Sequence, residues 1–388
     1  MKFLFVCGGT AGHINPAIGI AMEVRCRMAD AKILFVGAGR DLEKRLIPQA
    51  GFHVVNIRMS GLKRGLSPAH AAHNFKTLVN LTTASFESAN LLRRFKPDAV
   101  IGTGGYICYP VMKKAVQMGI ATFLHEPNAV PGLTTKLLSA YVDKVLITFP
   151  GLDMLYRRPE RLVISGTPVR SGFYLPPEKT TIPGSGERPL VLSFWGSLGA
   201  ERMNDTIAEF IKLNVEGAQF EHIHATGKKG GVREMKSRLK RLGAPDALPQ
   251  CIDIREYIDD MPSVMAAADI VLSRAGASTV AELTVLGKPA VLVPSPFVPN
   301  NHQEENAKQM KKAGGAMMIL EKDCTGNALY DAVTELLGDS DRLKRMSYAQ
   351  RSLAAPNAAE KIVDLVVEHC AQGKKDEEQM TNEDEGFE

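Results

Sequence analysis

Short apolar runs alternate with helix-length amphipathic segments along the whole chain, and this alternation most constrains the fold. The runs fall at 2–7, 32–37, 52–58, 98–102, 121–125, 143–148 and 162–165 in the first half. They resume at 190–195, 221–226, 251–254, 269–273, 290–293 and 316–320. Each is mostly continuous Val, Ile, Leu and Phe, not an apolar/polar alternation. Strands read this way when both faces are buried, as in a parallel sheet. The intervening helical segments supply the crossovers of repeated βαβ units. Between the halves, "TPVRSGFYLPPEKTTIPGSGERP" (167–189) is rich in Pro and Gly, lacks periodicity and reads as a linker. Directly after it, "LVLSFWGSLGAERMNDTIAEF" restarts the strand, glycine turn and helix seen from residue 2 onward. The expectation is an α/β protein of two Rossmann-like domains with parallel sheets, 1–166 and 190–355, facing a central cleft that holds the site. A C-terminal helix (356–370) and an acidic tail (371–388), read as disordered, complete the chain.

Charge is unevenly spread. The net charge is +4, but residues 1–166 hold 21 Lys+Arg against 10 Asp+Glu. A basic first half suits an anionic membrane surface or phosphate groups. Nucleic acid is not expected, because no zinc-finger spacing, RNP-like run or aromatic/basic interleaving occurs. No apolar run approaches the roughly 18–20 residues that span a bilayer, and the N-terminal run does not read as a signal peptide. The six cysteines are scattered and read as free thiols in a reducing cytoplasm.

The glycine turns carry the chemistry. "CGGTAGHINP" (7–16) lacks the G-x-G-x-x-G spacing, the second strand ends without an acid for a ribose, and no Walker A motif is present. A dinucleotide enzyme and a P-loop NTPase are both disfavoured. Asn15 and Pro16 predict the N-cap and first residue of a helix running to about Met28. His13 would then lie just outside that N-terminus, where the dipole disfavours imidazolium and leaves a neutral proton acceptor. The alternative is a loop histidine that caps backbone groups. "GTGGYICYP" (102–110) is a second strand-to-helix turn. "FLHEPNAVPGLTTK" (123–136) places His125, Glu126 and Asn128 beyond a strand's carboxyl end. Glu126 is there either a second general base or part of a loop-capping network.

In the second half, "GSLGAERMND" (196–205) offers Ser197 and helix-start N–H groups to a phosphate. Its glycines alone could instead serve the turn. In "SRAGASTVAEL" (273–283), small residues precede a helix N-terminus suited to an anion, and Glu282 is placed to accept two hydrogen bonds from a ribose. Thr279–Glu282 also fits a T-x-x-E capping box. Gln303 and Asn306 can read sugar hydroxyls through their amides, or simply form a helix surface.

"GGTAGHINP", "GTGGY", "HEPN", "TPVR", "GSLGA", "EYIDDM" and "SRAGASTVAEL…HQEENA" occur in this order over residues 1–370. Together they closely resemble the MurG family of glycosyltransferases. The resemblance implies a GT-B fold and inverting transfer of N-acetylglucosamine from UDP-N-acetylglucosamine to the C4 hydroxyl of the muramyl sugar of lipid I, giving lipid II for peptidoglycan. By position, it implies that Thr10, Ala11, Gly12, Asn128 and Arg170 lie at the donor. Ser197 would meet the diphosphate, and Ile258 would bind uracil through its backbone. Ala277, Ser278, Thr279, Val280, Ala281 and Glu282 would hold phosphate and ribose, and Gln303 the sugar. His13 is the implied base, assisted by Glu126. Ala11 replaces a common Gly and Pro127 a common Gln.

No cofactor and no metal are expected. No D-x-D ends a strand, and "DSD" (339–341) lies in a polar turn, so helix N-termini would stabilise the leaving group. The resemblance also implies a peripheral protein of the cytoplasmic face of the bacterial plasma membrane, with cell-wall synthesis and cell-division proteins as candidate partners. Within the helix expected over 70–95, Phe75, Val79 and Phe86 form a candidate membrane patch beside Lys76, Arg93 and Arg94. An ordinary core face is the alternative. The rival readings are a glycolipid synthase, a UDP-sugar epimerase and a non-catalytic sugar-nucleotide binding module.

Overall fold

The computed structural model describes residues 1–59, 68–174, 188–196, 199–228 and 230–385, with the backbone alone over 68–79 and 374–385. The chain forms two compact units, Met1–Val169 with Asn357–Glu388, and Arg170–Pro356.

The first unit runs β1 (Lys2–Cys7), α1 (Ala11–Arg27), β2 (Lys32–Gly37), α2 (Asp41–Gln49), β3 (Val54–Asn56), α3 (Pro68–Phe95), β4 (Ala99–Gly104), α4 (Cys108–Gln117), β5 (Ala121–Glu126), α5 (Leu133–Leu138), β6 (Lys144–Ile147) and β7 (Leu162–Ile164). Its seven parallel strands are ordered β3-β2-β1-β4-β5-β6-β7. The continuous apolar runs follow from burial on both faces. Phe3, Phe5 and Cys7 pack with Ile14, Ile20, Phe35 and Phe123 on one side of the sheet. Leu4 and Val6 pack with Val100, Ile107, Met112 and Leu124 on the other. Phe5 and Phe35 stack with centroids 5.1 Å apart.

The second unit runs β8 (Leu190–Phe194), α6 (Glu201–Gly217), β9 (Glu221–Ala225), α7 (Val232–Arg241), β10 (Ile252–Arg255), α8 (Met261–Ala267), β11 (Ile270–Ser273), α9 (Ala277–Leu286), β12 (Ala290–Leu292), α10 (His302–Lys312), β13 (Ala316–Met318), α11 (Gly326–Leu337) and α12 (Ser340–Ser352). Its six parallel strands are ordered β10-β9-β8-β11-β12-β13. Every apolar run of the sequence carries one strand. The largest difference is at 52–58, where only Val54–Asn56 pairs.

Three features differ from the expected layout. The first unit extends to Val169, and the second begins at Arg170, inside the stretch read as linker; residues 175–187 of that stretch lie outside the described residues. The C-terminal helix α13 (Ala358–Glu385) belongs to the first unit, where Ile362, Val363 and Val366 enter the core beside α1. Its backbone stays helical to Glu385, through the segment read as disordered. A helix nucleated by packing propagates readily through Lys, Glu and Gln. Ile362 is fully buried. Ile362→Ala should therefore cost about 2–5 kcal/mol, read as a lower urea midpoint for the first unit; an unchanged midpoint would contradict the docking of α13.

Candidate active site

In the first unit, the strand order reverses direction between β1 and β4. Ligands of open α/β sheets bind at such switch points. The loops after these strands are tied by Gly8 N donating to Gly104 O at 3.2 Å. Half-buried His13 points its Nδ1 at Gly8 O, 2.9 Å away. A carbonyl only accepts, so Nδ1 carries a proton, and in the neutral tautomer of this kind Nε2 is the acceptor. Thr103 Oγ1 donates to His13 O at 2.7 Å. A Cβ on Gly104 (φ +119°) would lie 2.5 Å from His13 Cδ2, and one on Gly105 (φ +93°) 2.5 Å from Gly8 O. The glycines of "GTGGY" thus exist for the close approach of His13 and its loop.

Helix α1 starts at Ala11 with Thr10 as N-cap, five residues before the expected start, so His13 sits in its first turn. Thr10 O accepts from both His13 N and Ile14 N. These contacts, with the Thr103 bond, outweigh the missing N–H of Pro16, which here lies inside the helix. The N–H groups of Ala11 and Gly12 find no acceptor among the described residues, so this N-terminus is open.

The Glu126 carboxylate is buried and receives four hydrogen bonds: Asn128 N (3.2 Å), Asn128 Nδ2 (3.0 Å), Gly132 N (3.0 Å) and Thr135 Oγ1 (2.7 Å). This is the loop-capping arrangement left open in the sequence, and its acceptor positions are filled. His125 is fully buried with Nε2 donating to Gly166 O at 3.0 Å. Burial lowers its pKa to about 4 and keeps it neutral.

In the second unit the corresponding reversal lies between β8 and β11. Gly196 (φ +86°) and Gly199 (φ +74°) shape the loop after β8, and a Cβ on Gly199 would lie 2.2 Å from Thr226 O. Ser197 lies outside the described residues. After β11, Gly276 is the N-cap of α9, and a Cβ there would meet nothing within 4 Å. The first turn of α9 carries no acid and no side-chain cap. Ser278 Oγ is buried without a hydrogen-bond partner among the described residues. Thr279 and Glu282 are the third and sixth helical residues, so the capping box is absent.

Burial raises the Glu282 carboxyl to about 7, against the opposing pull of Arg170. Arg170 Nη2 is 3.8 Å from Glu282 Oε1, and its guanidinium lies over Phe173 at 5.3 Å. Val280 and Ala281 are buried at the root of the helix, while Ile258 is buried after β10. Gln303 Oε1 accepts from Ser295 N at 2.9 Å. Gln303 lines a cavity of about 630 Å³ with Trp195, Arg202, Arg274 and Glu321. Asn306 does not reach the cavity: it is fully buried, and its Nδ2 donates to Ala275 O at 3.0 Å, pinning the loop after β11.

Sequence reasoning missed several supports of these sites. Arg274 is held by Glu321 (2.6 Å) and by Val293 O (3.0 Å). Glu43, fully buried on α2, accepts from Gly9 N at 2.9 Å and from Arg40 N at 3.0 Å. Glu43 to Arg40 is a local cap three residues apart, but Gly9, Val293 and Glu321 lie far from their partners in sequence, which leaves no local signal for those bonds. Among the described residues no group of three or more His, Cys, Asp or Glu could hold a metal ion.

The chain matches the glycosyltransferase family 28 N-terminal domain over residues 3–147 and the family 28 C-terminal domain over 190–362. It is 41% identical over 372 residues to the UDP-N-acetylglucosamine--N-acetylmuramyl-(pentapeptide) pyrophosphoryl-undecaprenol N-acetylglucosamine transferase of Acetivibrio thermocellus, covering 94% of this chain and 97% of the relative. The crystal structure of Acinetobacter baumannii MurG superposes with a TM-score of 0.74 at 26% identity, covering 95% of this chain and 99% of that one. The chain belongs to the MurG family. The GT-B architecture expected from the MurG motifs is therefore the one observed. A UDP-GlcNAc 2-epimerase from Neisseria meningitidis shares the fold alone, with a TM-score of 0.66 at 13% identity.

The Glu282 environment has a measurable consequence. An acid whose folded pKa is raised binds its proton more tightly in the native state. Its contribution is thus favourable below the unfolded value near 4.5 and is lost as pH rises through about 7. Glu282→Gln should flatten this fall in the ligand-free protein, read as thermal midpoints at pH 5 and pH 8. A wild-type fall retained in the variant would contradict the assignment.

Proposed function

We propose that this protein transfers N-acetylglucosamine from UDP-N-acetylglucosamine to the C4 hydroxyl of the muramyl sugar of lipid I, forming lipid II by a single displacement with inversion. The observation that carries this reading is the 41% identity to a transferase of that name across both units. The epimerase alternative has only the shared fold behind it.

The first unit supplies the base. His13 Nε2, the acceptor of the ring tautomer whose Nδ1–H donates to Gly8 O, takes the proton from the C4 hydroxyl as its oxygen attacks the anomeric carbon. Glu126 holds the 126–135 turn, presenting Asn128 to the donor sugar; its filled acceptor positions fit positioning better than proton transfer. Thr10, Ala11 and Gly12 offer the open start of α1 to the sugar. Ala11 places its methyl in this first turn, where the common Gly has none.

The second unit holds the donor. The open N-terminus of α9, with Ser278 Oγ unpartnered, suits the diphosphate and stabilises UDP as it leaves. Ser197 would join it. Glu282 accepts the ribose hydroxyls, Arg170 balances its charge, and Ile258 borders uracil. Gln303, with its oxygen occupied by Ser295, has its amide N–H groups for the sugar.

The acceptor is lipid-linked, so the protein works at the cytoplasmic membrane surface. Among the described residues no helix is long and apolar enough to cross a membrane. The Phe75 and Val79 side chains lie outside the described residues, and Phe86 is 66% exposed, which favours contact with the interface over a core role at that position.

With UDP-N-acetylglucosamine and a lipid I analogue, wild-type protein should yield a lipid II analogue and UDP. His13→Ala should lower turnover roughly 100-fold or more with UDP affinity nearly unchanged. Unchanged turnover would remove His13 as the base, and free isomerised UDP-sugar as the only product would replace transfer with epimerisation.

A further inference from the structure

We propose that Glu43 is a positioning residue for His13, acting through the single peptide group that joins Gly8 to Gly9. The Gly9 N–H donates to Glu43 Oε1 at 2.9 Å. The Gly8 carbonyl accepts from His13 Nδ1 at 2.9 Å. Both bonds belong to one amide, so carboxylate, peptide and imidazole form a continuous hydrogen-bonded chain. Hydrogen bonds in such a chain polarise one another. A carboxylate drawing on the N–H makes the carbonyl a stronger acceptor, which fixes the ring orientation and raises the basicity of Nε2. A buried carboxylate does this directly in a carboxylate–histidine pair; here one peptide is interposed. The inference rests on His13 being the base.

The site is built around this carboxylate. Glu43 is fully buried, and its second oxygen accepts from Arg40 N at 3.0 Å. A Cβ on Gly8 would lie 2.8 Å from Oε1 and one on Gly37 2.7 Å from Oε2. The turn after β1 and the last residue of β2 therefore lack side chains where the carboxylate wedges between them. A helix-surface glutamate has no such requirement.

Other titratable and charged groups around this chain are Cys7 at the end of β1, Cys108 at the start of α4, His125 and Glu126 on β5, and Arg40 before α2. Burial pushes both thiols up and lowers His125 to about 4, so none of these three changes charge in an assay from about pH 6 to pH 9.

The test is Glu43→Gln, which keeps the shape and removes the charge. We expect kcat to fall roughly 10- to 100-fold with the KM for UDP-N-acetylglucosamine unchanged, and the thermal midpoint to drop because the new amide NH2 faces one of the two N–H donors. The acidic limb of the kcat profile should move to lower pH as Nε2 loses basicity. A merely structural role would leave the limb in place whatever the midpoint does, and that result overturns the proposal. If Glu43→Gln does not fold, Glu43→Asp, which draws the oxygens away from Gly9, should shift the limb the same way; an unmoved limb overturns the proposal. His13→Ala separates the two readings. Full turnover in that variant defeats the base assignment itself, whereas an inactive His13→Ala beside an unaltered Glu43→Gln defeats only the role of Glu43.

Discussion

A hydrogen bond from His13 Nδ1 to the carbonyl of Gly8 organises the first unit's site. It fixes which ring nitrogen is free, and it is possible only because the loops after β1 and β4 touch without side chains. Gly104 and Gly105 both take positive φ and both face atoms within 3 Å of where a Cβ would stand. Sheet order supplies the remaining condition. With β1 beside β4, helices leave in opposite directions and a crevice opens at their carboxyl ends.

The second unit uses the same topology for a different chemical task. Instead of closing a loop over a side chain, it leaves a ten-residue helix with a bare N-terminus, an unpartnered Ser278 hydroxyl and a desolvated Glu282 carboxyl. Each is unfavourable alone: buried polar groups without partners cost about 1–3 kcal/mol. A nucleotide diphosphate with a ribose offers an anion to the helix and hydroxyl donors to the carboxyl. The ligand-free site is thus pre-organised at the expense of stability, as active sites commonly are.

Much of this was legible in the sequence, for identifiable reasons. The strands were visible because a parallel sheet buried on both faces leaves unbroken apolar runs, and the second start at residue 190 revealed the duplication. The motif order from "GGTAGHINP" to "HQEENA" pointed to the family. What escaped was non-local. Asn15-Pro16 is a sound local helix start, yet the bonds of His13 N and Ile14 N to Thr10 O, with the tertiary bond from Thr103 to His13 O, begin α1 five residues earlier. Glu43 looks like a surface residue of a charged helix, and only the fold brings it under Gly9, 34 residues away in sequence. Glu126 reads equally as base or cap until its four donors are counted. The return of α13 to the first unit is likewise invisible in composition, because an acidic helix and an acidic coil share it.

The proposed transfer is one displacement, with His13 as its base. Its most direct test is stereochemical: transfer from α-linked UDP-N-acetylglucosamine to a lipid I analogue, with the anomeric proton coupling of the new bond read by NMR. A single displacement predicts a β-linked product. An α-linked product would require a second displacement or a front-face route, and would contradict His13 acting as the base of an in-line attack.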